Sequence, residues 1–311
     1  MILKRIKLTN AYIDTYLLEN YKELSISKRP GVLVCPGGAF AFCSNRESEQ
    51  VAIAFNNAGF NAFVLKYTVG KGSDAAINDG FEALDYITSH KDEFALNKII
   101  ICGFSAGAHL AAAASIYGKN KPDGMILVYP PITEFKDSYD ILKGINASTP
   151  KAFIVHTFSD ATVSVGQSLM LMQRLYENNI EFESHIYRAG DHGFSVANKA
   201  VSAGNPKIYD LACSTWVSMA IRWISEAIGD IEFLKKIEKD DLPPILLKPL
   251  KEFLDNPGCV EAINRYFPNL IKDNIEKFSN FLLGMIILYT EKTTLDQINL
   301  LANEISKAIE N

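Results

Sequence analysis

One pentapeptide in the chain has the residue types and spacing of a nucleophilic site. Gly103-Phe104-Ser105-Ala106-Gly107 places a serine between two glycines, which leave room for a tight turn around the hydroxyl. An apolar run at 98–102 leads into this turn, and an Ala-rich helical pattern follows it at once. A strand before and a helix after are the context in which such a pentapeptide presents a nucleophile. The sequence therefore predicts that Ser105 is the nucleophile of an acyl-transfer reaction.

A serine hydroxyl needs a general base, which is usually a histidine. In the expected chain order the acid follows the serine and the histidine comes last. Four of the five histidines lie too early in the chain, on the helix that follows the serine, or within predicted strands: His90, His109, His156 and His185. For His109 we expect a packing or hydrogen-bonding role. His192 lies in a Gly-flanked loop, 190–194, directly after a predicted strand, and is the predicted base.

The carboxylate that orients the base is predicted to be Asp160. It follows the predicted strand 152–157, so it lies at the strand end where the nucleophile is also expected. Asp137 and Asp140 fall in an irregular stretch after two prolines and are expected to be solvated. Asp191 is next to the base in sequence, and adjacent residues of one loop seldom point at each other.

Backbone amides are expected to stabilise the negative charge that develops on the substrate oxygen. One donor is predicted to be Ala106, the residue after the nucleophile. The second is expected from Pro36-Gly37-Gly38-Ala39-Phe40, whose glycines let amides approach a ligand. The helix that begins after Ser105 adds a partial positive charge near the developing oxyanion. This chemistry requires no metal and no organic cofactor.

The elements around these residues alternate between strands and helices. This pattern predicts a doubly wound, mostly parallel α/β sheet, because strands this uniformly apolar are covered on both faces. The segment 11–20 is expected to add an antiparallel edge strand. The predicted strands are 31–35, 62–65, 98–102, 125–129, 152–156 and 182–187. The predicted helices are 47–58, 74–90, 106–117, 165–178 and 211–227.

The composition changes near Asp240. Residues 240–244, Asp-Asp-Leu-Pro-Pro, are expected to be a linker or helix breaker. After it, apolar residues recur at helical spacing, which predicts a small all-helical module over 245–311. The catalytic domain is accordingly predicted over 1–240. We expect the helical module to provide a homo-oligomer or domain contact.

Composition and charge exclude several function classes. The chain has 311 residues, 48% of them hydrophobic, and a net charge of −5 without a basic block, so nucleic acid is not an expected partner. The longest apolar run near the end, 281–289, is too short to cross a bilayer, and residues 1–7 lack the apolar region of a signal peptide. A soluble, cytoplasmic protein is expected. The five cysteines form no Cys-x-x-Cys pair and are expected to be structural thiols.

Taken together, these motifs resemble the bacterial α/β-hydrolase esterases related to acetyl xylan esterases. The resemblance covers about residues 25–228, and its motifs are 34–40, Arg46-Glu47, 52–67, 103–109, Asp160 and 191–194. It implies the α/β-hydrolase fold, Ser105, Asp160 and His192 as triad, and oxyanion donors at Gly38 or Ala39 together with Ala106. It further implies a short-chain ester substrate, often an acetyl group on a sugar. Pro36 and Ala39 replace the His and third Gly of the usual His-Gly-Gly-Gly loop.

The residues themselves say less about the substrate. Only about twenty residues separate Pro130 from the next predicted strand, so any lid there is small, which disfavours a lipase. Four aromatic residues are candidates to line an acyl or sugar pocket, with Phe40 and Phe194 as the predicted substrate contacts, although ordinary packing would also explain them: Phe40, Phe42, Phe135 and Phe194. Two alternatives remain, a prolyl-oligopeptidase type of exopeptidase and a catalytically inactive hydrolase-fold binding protein.

Overall fold

The structure, a computed structural model, describes residues 1–206, 208–209, 212–234, 237–272, 278–291 and 293–310. The chain divides into two compact units. The first comprises Met1–Tyr21 and Ile26–Phe233, and the second comprises Lys22–Ser25 and Leu234–Asn311. Within the described residues, no helix is both long enough and apolar enough to span a membrane.

The apolar runs of the first unit form strands. Their bounds are β1 Ile2–Lys7, β2 Tyr12–Leu17, β3 Ile26–Cys35, β4 Asn61–Lys66, β5 Leu96–Phe104, β6 Gly124–Val128, β7 Lys151–Thr157, β8 Phe182–Tyr187 and β9 Glu232–Phe233. The order across the sheet is β1-β2-β4-β3-β5-β6-β7-β8, with β9 paired antiparallel to the beginning of β3. From β4 to β8 every neighbouring pair is parallel. The predicted doubly wound, mostly parallel α/β fold is confirmed.

The edge of the sheet differs from the prediction. The segment predicted as an antiparallel edge strand forms β2, which pairs antiparallel with β4, but β1 pairs with β2 and is the outermost strand. Five of the six residues of β1 are exposed, and the remaining one, Ile6, is half-buried. The short segment therefore has no buried apolar face of the kind that marks a strand in sequence.

Helices cover both faces of the sheet. Their bounds are α1 Glu49–Asn57, α2 Ser73–Ser89, α3 Ala106–Tyr117, α4 Ile141–Gly144, α5 Gly166–Glu177 and α6 Trp216–Trp223. One apolar core joins the sheet to α2, α3, α4 and α5, and the other joins it to α1 and α6. The predicted helix 211–227 is instead a 3-10 turn (Cys213–Thr215), α6 and a π-helical turn (Ile224–Ile228), and residue 211 lies outside the described residues.

The second unit is helical, as predicted. Its helices are α7 Lys251–Leu254, α8 Pro257–Tyr266, α9 Leu283–Thr290 and α10 Leu295–Glu310, with 3-10 turns at Lys239–Asp241 and Pro244–Leu247. Their apolar faces form a core of their own that includes Leu250, Phe253, Ile263, Ile287 and Leu301. Residues 273–277, 292 and 311 of the predicted helical module lie outside the described residues.

The register of the sheet gathers four loops at one edge. Cys35 of β3 pairs with Gly103 of β5, and Phe104 pairs with Val128 of β6, which in turn pairs with Val155 of β7. Because these strands are parallel and end at similar heights, the loops after β3, β5, β7 and β8 emerge side by side. This edge carries every residue predicted to take part in catalysis.

Candidate active site

Ser105 occupies the single residue between β5 and α3. Its backbone has φ 50° and ψ −124°, a strained conformation for a residue with a side chain. The Ser105 amide donates to the carbonyl of Val128, 3.0 Å away, which fixes the turn to the neighbouring strand. A Cβ on Gly107 would overlap the carbonyl oxygens of Cys35 and Pro36, so only glycine lets α3 pass this close to β3.

A line of hydrogen bonds connects Ser105 to two side chains from other loops. The Oγ of Ser105 lies 2.9 Å from Nε2 of His192, and Nδ1 of His192 lies 2.7 Å from Oδ2 of Asp160. A carboxylate only accepts, so Nδ1 carries the proton and Nε2 is left to accept from the serine hydroxyl. The loops after β5, β7 and β8 thus bring together the three residues that the sequence predicted. His192 is 32 positions from Asp160 and 87 positions from Ser105 in the chain.

Asp160 is buried and held as an anion. Its second oxygen, Oδ1, accepts from the amides of Thr162 and Val163, both at 2.9 Å. Burial alone would raise the pKa of Asp160, but the hydrogen bonds from His156 and His192 outweigh it and hold the pKa below its ordinary value. An ionised Asp160 keeps the imidazole of His192 in the tautomer that accepts from Ser105.

His156 is a contact of the site that the sequence interpretation missed. Its ring is fully buried at the end of β7, with Nε2 at 3.0 Å from the carbonyl of Val163 and 3.5 Å from Oδ2 of Asp160. Its Nδ1 faces the hydroxyl of Ser168 at 2.7 Å. His156 therefore fixes the loop that carries Asp160. The spacing of four residues between the two was the available signal, but a position inside a predicted strand concealed it.

The loop after β3, residues 36–44, lies against the nucleophile; we call it the oxyanion loop. A Cβ on Gly37 would lie 3.0 Å from the Cβ of Ser105, which shows how closely the loop approaches. Ala39 and Phe40 both have positive φ angles, 51° and 58°. Among the described residues, none accepts a hydrogen bond from the amides of Gly38, Ala39 or Ala106. The three predicted oxyanion donors are therefore available to a ligand.

A second histidine–aspartate pair lies next to the nucleophile. His109, one turn along α3 from Ser105, places Nε2 2.7 Å from Oδ2 of Asp137 and Nδ1 3.0 Å from the carbonyl of Pro131. The side chains of His109 and Asp137 are 1% and 2% exposed. The expectation that Asp137 is solvated is wrong, because α3 covers it. Asp140, in contrast, is about half exposed.

The two phenylalanines expected to contact substrate are both largely buried. Phe40 is 5% exposed, with its ring 4.8 Å from that of Phe135 and 6.5 Å from that of His109. Phe194 has no exposed surface and packs edge-on against Tyr129 at 4.8 Å. The structure therefore corrects the assignment of Phe194, whose ring supports Tyr129 and leaves no face for a substrate. Phe40 remains a candidate wall of the pocket.

Comparisons with known proteins agree with the fold. A family model described as the α/β hydrolase fold matches residues 32–154. The crystal structure of MGS-M1, an α/β hydrolase enzyme from a deep-sea metagenome library, is 32% identical with a TM-score of 0.68, and the match covers 73% of this chain and 98% of that one. A crystal structure of an acetyl ester-xyloside bifunctional hydrolase from Caldicellulosiruptor lactoaceticus is 25% identical with a TM-score of 0.61, covering 69% and 87%.

A curated relative is also similar to part of the chain. Endo-1,4-beta-xylanase B of Butyrivibrio fibrisolvens is 30% identical in a 217-residue alignment that covers 57% of this chain. The match covers 34% of the relative, so the chain spans about a third of the length of that protein.

Proposed function

The chain belongs to the α/β-hydrolase family, and from that premise we propose that it is a serine esterase that removes short acyl groups, acetyl above all, from sugar esters such as xylan-derived oligosaccharides. The observation that carries the proposal is the line of hydrogen bonds from Ser105 through His192 to Asp160, at 2.9 and 2.7 Å. A serine so connected is activated for attack on an ester carbonyl.

The first step forms an acyl-enzyme. As Ser105 Oγ bonds to the carbonyl carbon, its proton passes to Nε2 of His192, and the imidazolium is stabilised by ionised Asp160. The carbonyl oxygen becomes an oxyanion, which accepts from the amide of Ala106 and from that of Gly38 or Ala39. His192 then returns the proton to the departing alcohol as the carbon–oxygen bond breaks. The strained turn at Ser105 keeps the hydroxyl in reach of both partners.

The second step releases the acid. Water loses a proton to Nε2 of His192 and attacks the acyl carbon, and the same amides hold the second oxyanion. The intermediate collapses, Ser105 takes the proton back, and the carboxylic acid leaves. Donors of this kind are worth about 3 kcal/mol each in the transition state.

Two observations favour a short acyl group. Near Ser105, the rings of Phe40, His109 and Phe135 pack against each other with centroids 4.8 to 6.5 Å apart, and this packing limits the room for an acyl chain on that side. The connection from β6 to β7 is residues 129–150, with α4 as its helix, which is too short for a large lipase lid.

The sugar part of the proposal depends on relatives and on one exposed ring. The relatives include a xylanase and an acetyl ester-xyloside hydrolase. Phe42, on the oxyanion loop, is 60% exposed and offers an aromatic face on which a sugar ring can stack.

An activity panel tests the proposal. Purified protein is assayed on acetylated xylo-oligosaccharides, on p-nitrophenyl esters of increasing chain length, and on an aminoacyl p-nitroanilide. We expect hydrolysis of the acetyl esters, a steep decline with chain length, and no cleavage of the anilide. Cleavage of the anilide alone would establish an exopeptidase instead, and inactivity on every substrate would favour a binding protein.

Two serine variants provide the control for that panel. Ser105→Ala should remove the activity. Ser115→Ala alters a buried serine on helix α3. The Ser115 hydroxyl donates to the carbonyl of Ala111, so this variant should retain the activity. Wild-type turnover by Ser105→Ala would refute the assignment.

A further inference from the structure

One buried carboxylate near the site has no role in the reaction described so far. Glu47 ends the 3-10 turn Asn45–Glu47 and is 4% exposed. Among the described residues, no Lys, Arg or His forms an ion pair with it. A buried acid without a cation is costly unless hydrogen bonds hold it, so its partners indicate what it is for.

The first partner of Glu47 is the oxyanion loop. Oε2 accepts from the amide of Gly37 at 2.8 Å. Gly37 precedes Gly38, a predicted oxyanion donor, and packs against the Cβ of Ser105. The orientation of the Gly37 peptide therefore influences where the next amides point, and Glu47 fixes that orientation.

The second partner leads to the catalytic histidine. Oε1 of Glu47 accepts from the phenol of Tyr129 at 2.6 Å, and the same phenol oxygen accepts from the amide of Ser195 at 3.2 Å. Burial and the Glu47 carboxylate raise the pKa of Tyr129 well above its ordinary value, so the phenol stays protonated and donates. The ring of Tyr129 also lies 4.7 Å from that of His192.

The loop that carries His192 makes a second contact with the 3-10 turn Asn45–Glu47. We call residues 188–195 the histidine loop. The hydroxyl of Ser195 donates to the carbonyl of Arg46 at 2.6 Å, and Ser195 has a φ of 52°. Residues 46 and 47 thus hold Ser195 both directly and through Tyr129.

We propose that Glu47 is a positioning residue for ester hydrolysis, whose two carboxylate oxygens hold the oxyanion loop and, through Tyr129, the histidine loop in fixed relative positions. This inference rests on the proposed function. It requires a carboxylate, since both oxygens accept from donors. An amide at this position would turn its NH₂ group either toward the Gly37 amide, which only donates, or toward the Tyr129 phenol, whose proton would then lose its acceptor at residue 47.

Kinetics of three variants test the role. Because small misplacements of catalytic groups lower the rate strongly, Glu47→Gln should reduce kcat about 10- to 100-fold, with KM changed less than about threefold as expected when only the transition state loses stabilisation. Tyr129→Phe removes the phenol that connects Glu47 to the histidine loop but keeps the hydrogen bond from Gly37, so it should reduce kcat less than Glu47→Gln does. In the double variant, kcat should fall by less than the product of the two single fold-changes, because both residues belong to one bridge.

Asp123→Asn is the control. This carboxylate binds Lys98 and the Ile99 amide at the opposite end of the sheet, so its replacement should not alter kcat.

Amide hydrogen exchange supplies a readout that does not depend on turnover. In Glu47→Gln, the amides of Gly37 and Ser195 should exchange faster than in the wild type. The Thr68 amide, which donates to another buried carboxylate, Asp79, at 2.6 Å, should exchange as before.

The outcomes separate this inference from the proposed function. Unchanged kcat in Glu47→Gln, strictly multiplicative losses, or equal acceleration at Gly37, Ser195 and Thr68 would each overturn the positioning role. If the wild-type protein hydrolyses no ester, the proposed function fails, whereas the exchange measurement still decides whether Glu47 holds the two loops.

Discussion

The histidine–aspartate pairs His192–Asp160 and His109–Asp137, both near Ser105, differ in what the remaining ring nitrogen faces. In the pair His192–Asp160, the nitrogen opposite the carboxylate faces the hydroxyl of Ser105. In the pair His109–Asp137, that nitrogen faces the carbonyl of Pro131, which only accepts. Both nitrogens of His109 are therefore occupied, and His109 has no lone pair free to take a proton from the serine.

Burial separates the two pairs further. The His192 side chain is 17% exposed, so substrate and water can reach it, whereas both partners of the other pair are sealed. Asp137 contacts His109 of helix α3 and accepts from the amide of Tyr139 at 3.0 Å, so it ties the segment after β6 to that helix. The same two residue types thus serve catalysis in one place and hold the structure in the other. The environment of the histidine decides which.

The largest expected contrast is in turnover after one identical change at each histidine. His192→Gln should lower kcat by about 10⁴- to 10⁶-fold, because the base is lost. His109→Gln should lower it by less than about 10-fold, since this ring exchanges no proton with substrate. Steady-state hydrolysis of an acetyl ester measures both. Equal losses would contradict the separation of roles.

The two carboxylates should differ in a similar way. Asp160→Asn is expected to reduce kcat by about 10⁴-fold, because the amide stabilises the wrong tautomer of His192. Asp137→Asn should stay within about 10-fold of the wild type. The assay is the same, and a circular dichroism spectrum of each variant confirms that it is folded. A mild effect of Asp160→Asn would point to another orienting acid.

Stability should separate the two carboxylates less than turnover does. Asp137→Ala removes the partner of buried His109 and the acceptor of the Tyr139 amide, and should lower the free energy of unfolding by about 1–3 kcal/mol. Asp160→Ala leaves the amides of Thr162 and Val163 without their acceptor and should cost at least as much. Denaturant titrations of the two variants give the comparison. A loss at Asp160 well below that at Asp137 would overturn it.

The smallest effect concerns pH. The folded pKa of Asp160 is lowered, so its ionised form stabilises the fold above the pKa of an unfolded aspartate, about 3.9. This contribution should disappear as the pH falls from about 5 through the folded pKa. The difference in unfolding free energy between wild type and Asp160→Asn should shrink over that range. A difference independent of pH would show that hydrogen bonds do not hold the carboxyl ionised.

The features that were predicted correctly from the sequence are those that depend on a local pattern of residues. Runs such as 99–102 and 152–155 are apolar throughout and became central strands, because a strand covered on both faces leaves a signature in every residue. The turn around Ser105 was equally visible, since its residue types and spacing fall within five consecutive residues, although Gly107 is required by the distant carbonyls of Cys35 and Pro36. His192 and Asp160 follow from chain order and from their places directly after strands.

What was missed depends on contacts between distant parts of the chain. Asp137 looked solvated because nothing near it in sequence shows that His109, 28 positions earlier, covers it. Phe194 was expected to meet substrate, yet Tyr129 occupies its face. The bridge from Glu47 to Tyr129 joins residues 82 positions apart. No local periodicity encodes such pairs.

Covalent labelling tests the central claim most directly, namely that Ser105 is the activated nucleophile. The folded protein is treated with a fluorophosphonate probe, and the adduct is located by peptide mass spectrometry. The account predicts one adduct, on Ser105, which Ser105→Ala abolishes and His192→Gln slows strongly. An adduct on another serine, or an unlabelled Ser105 in folded protein, would contradict it.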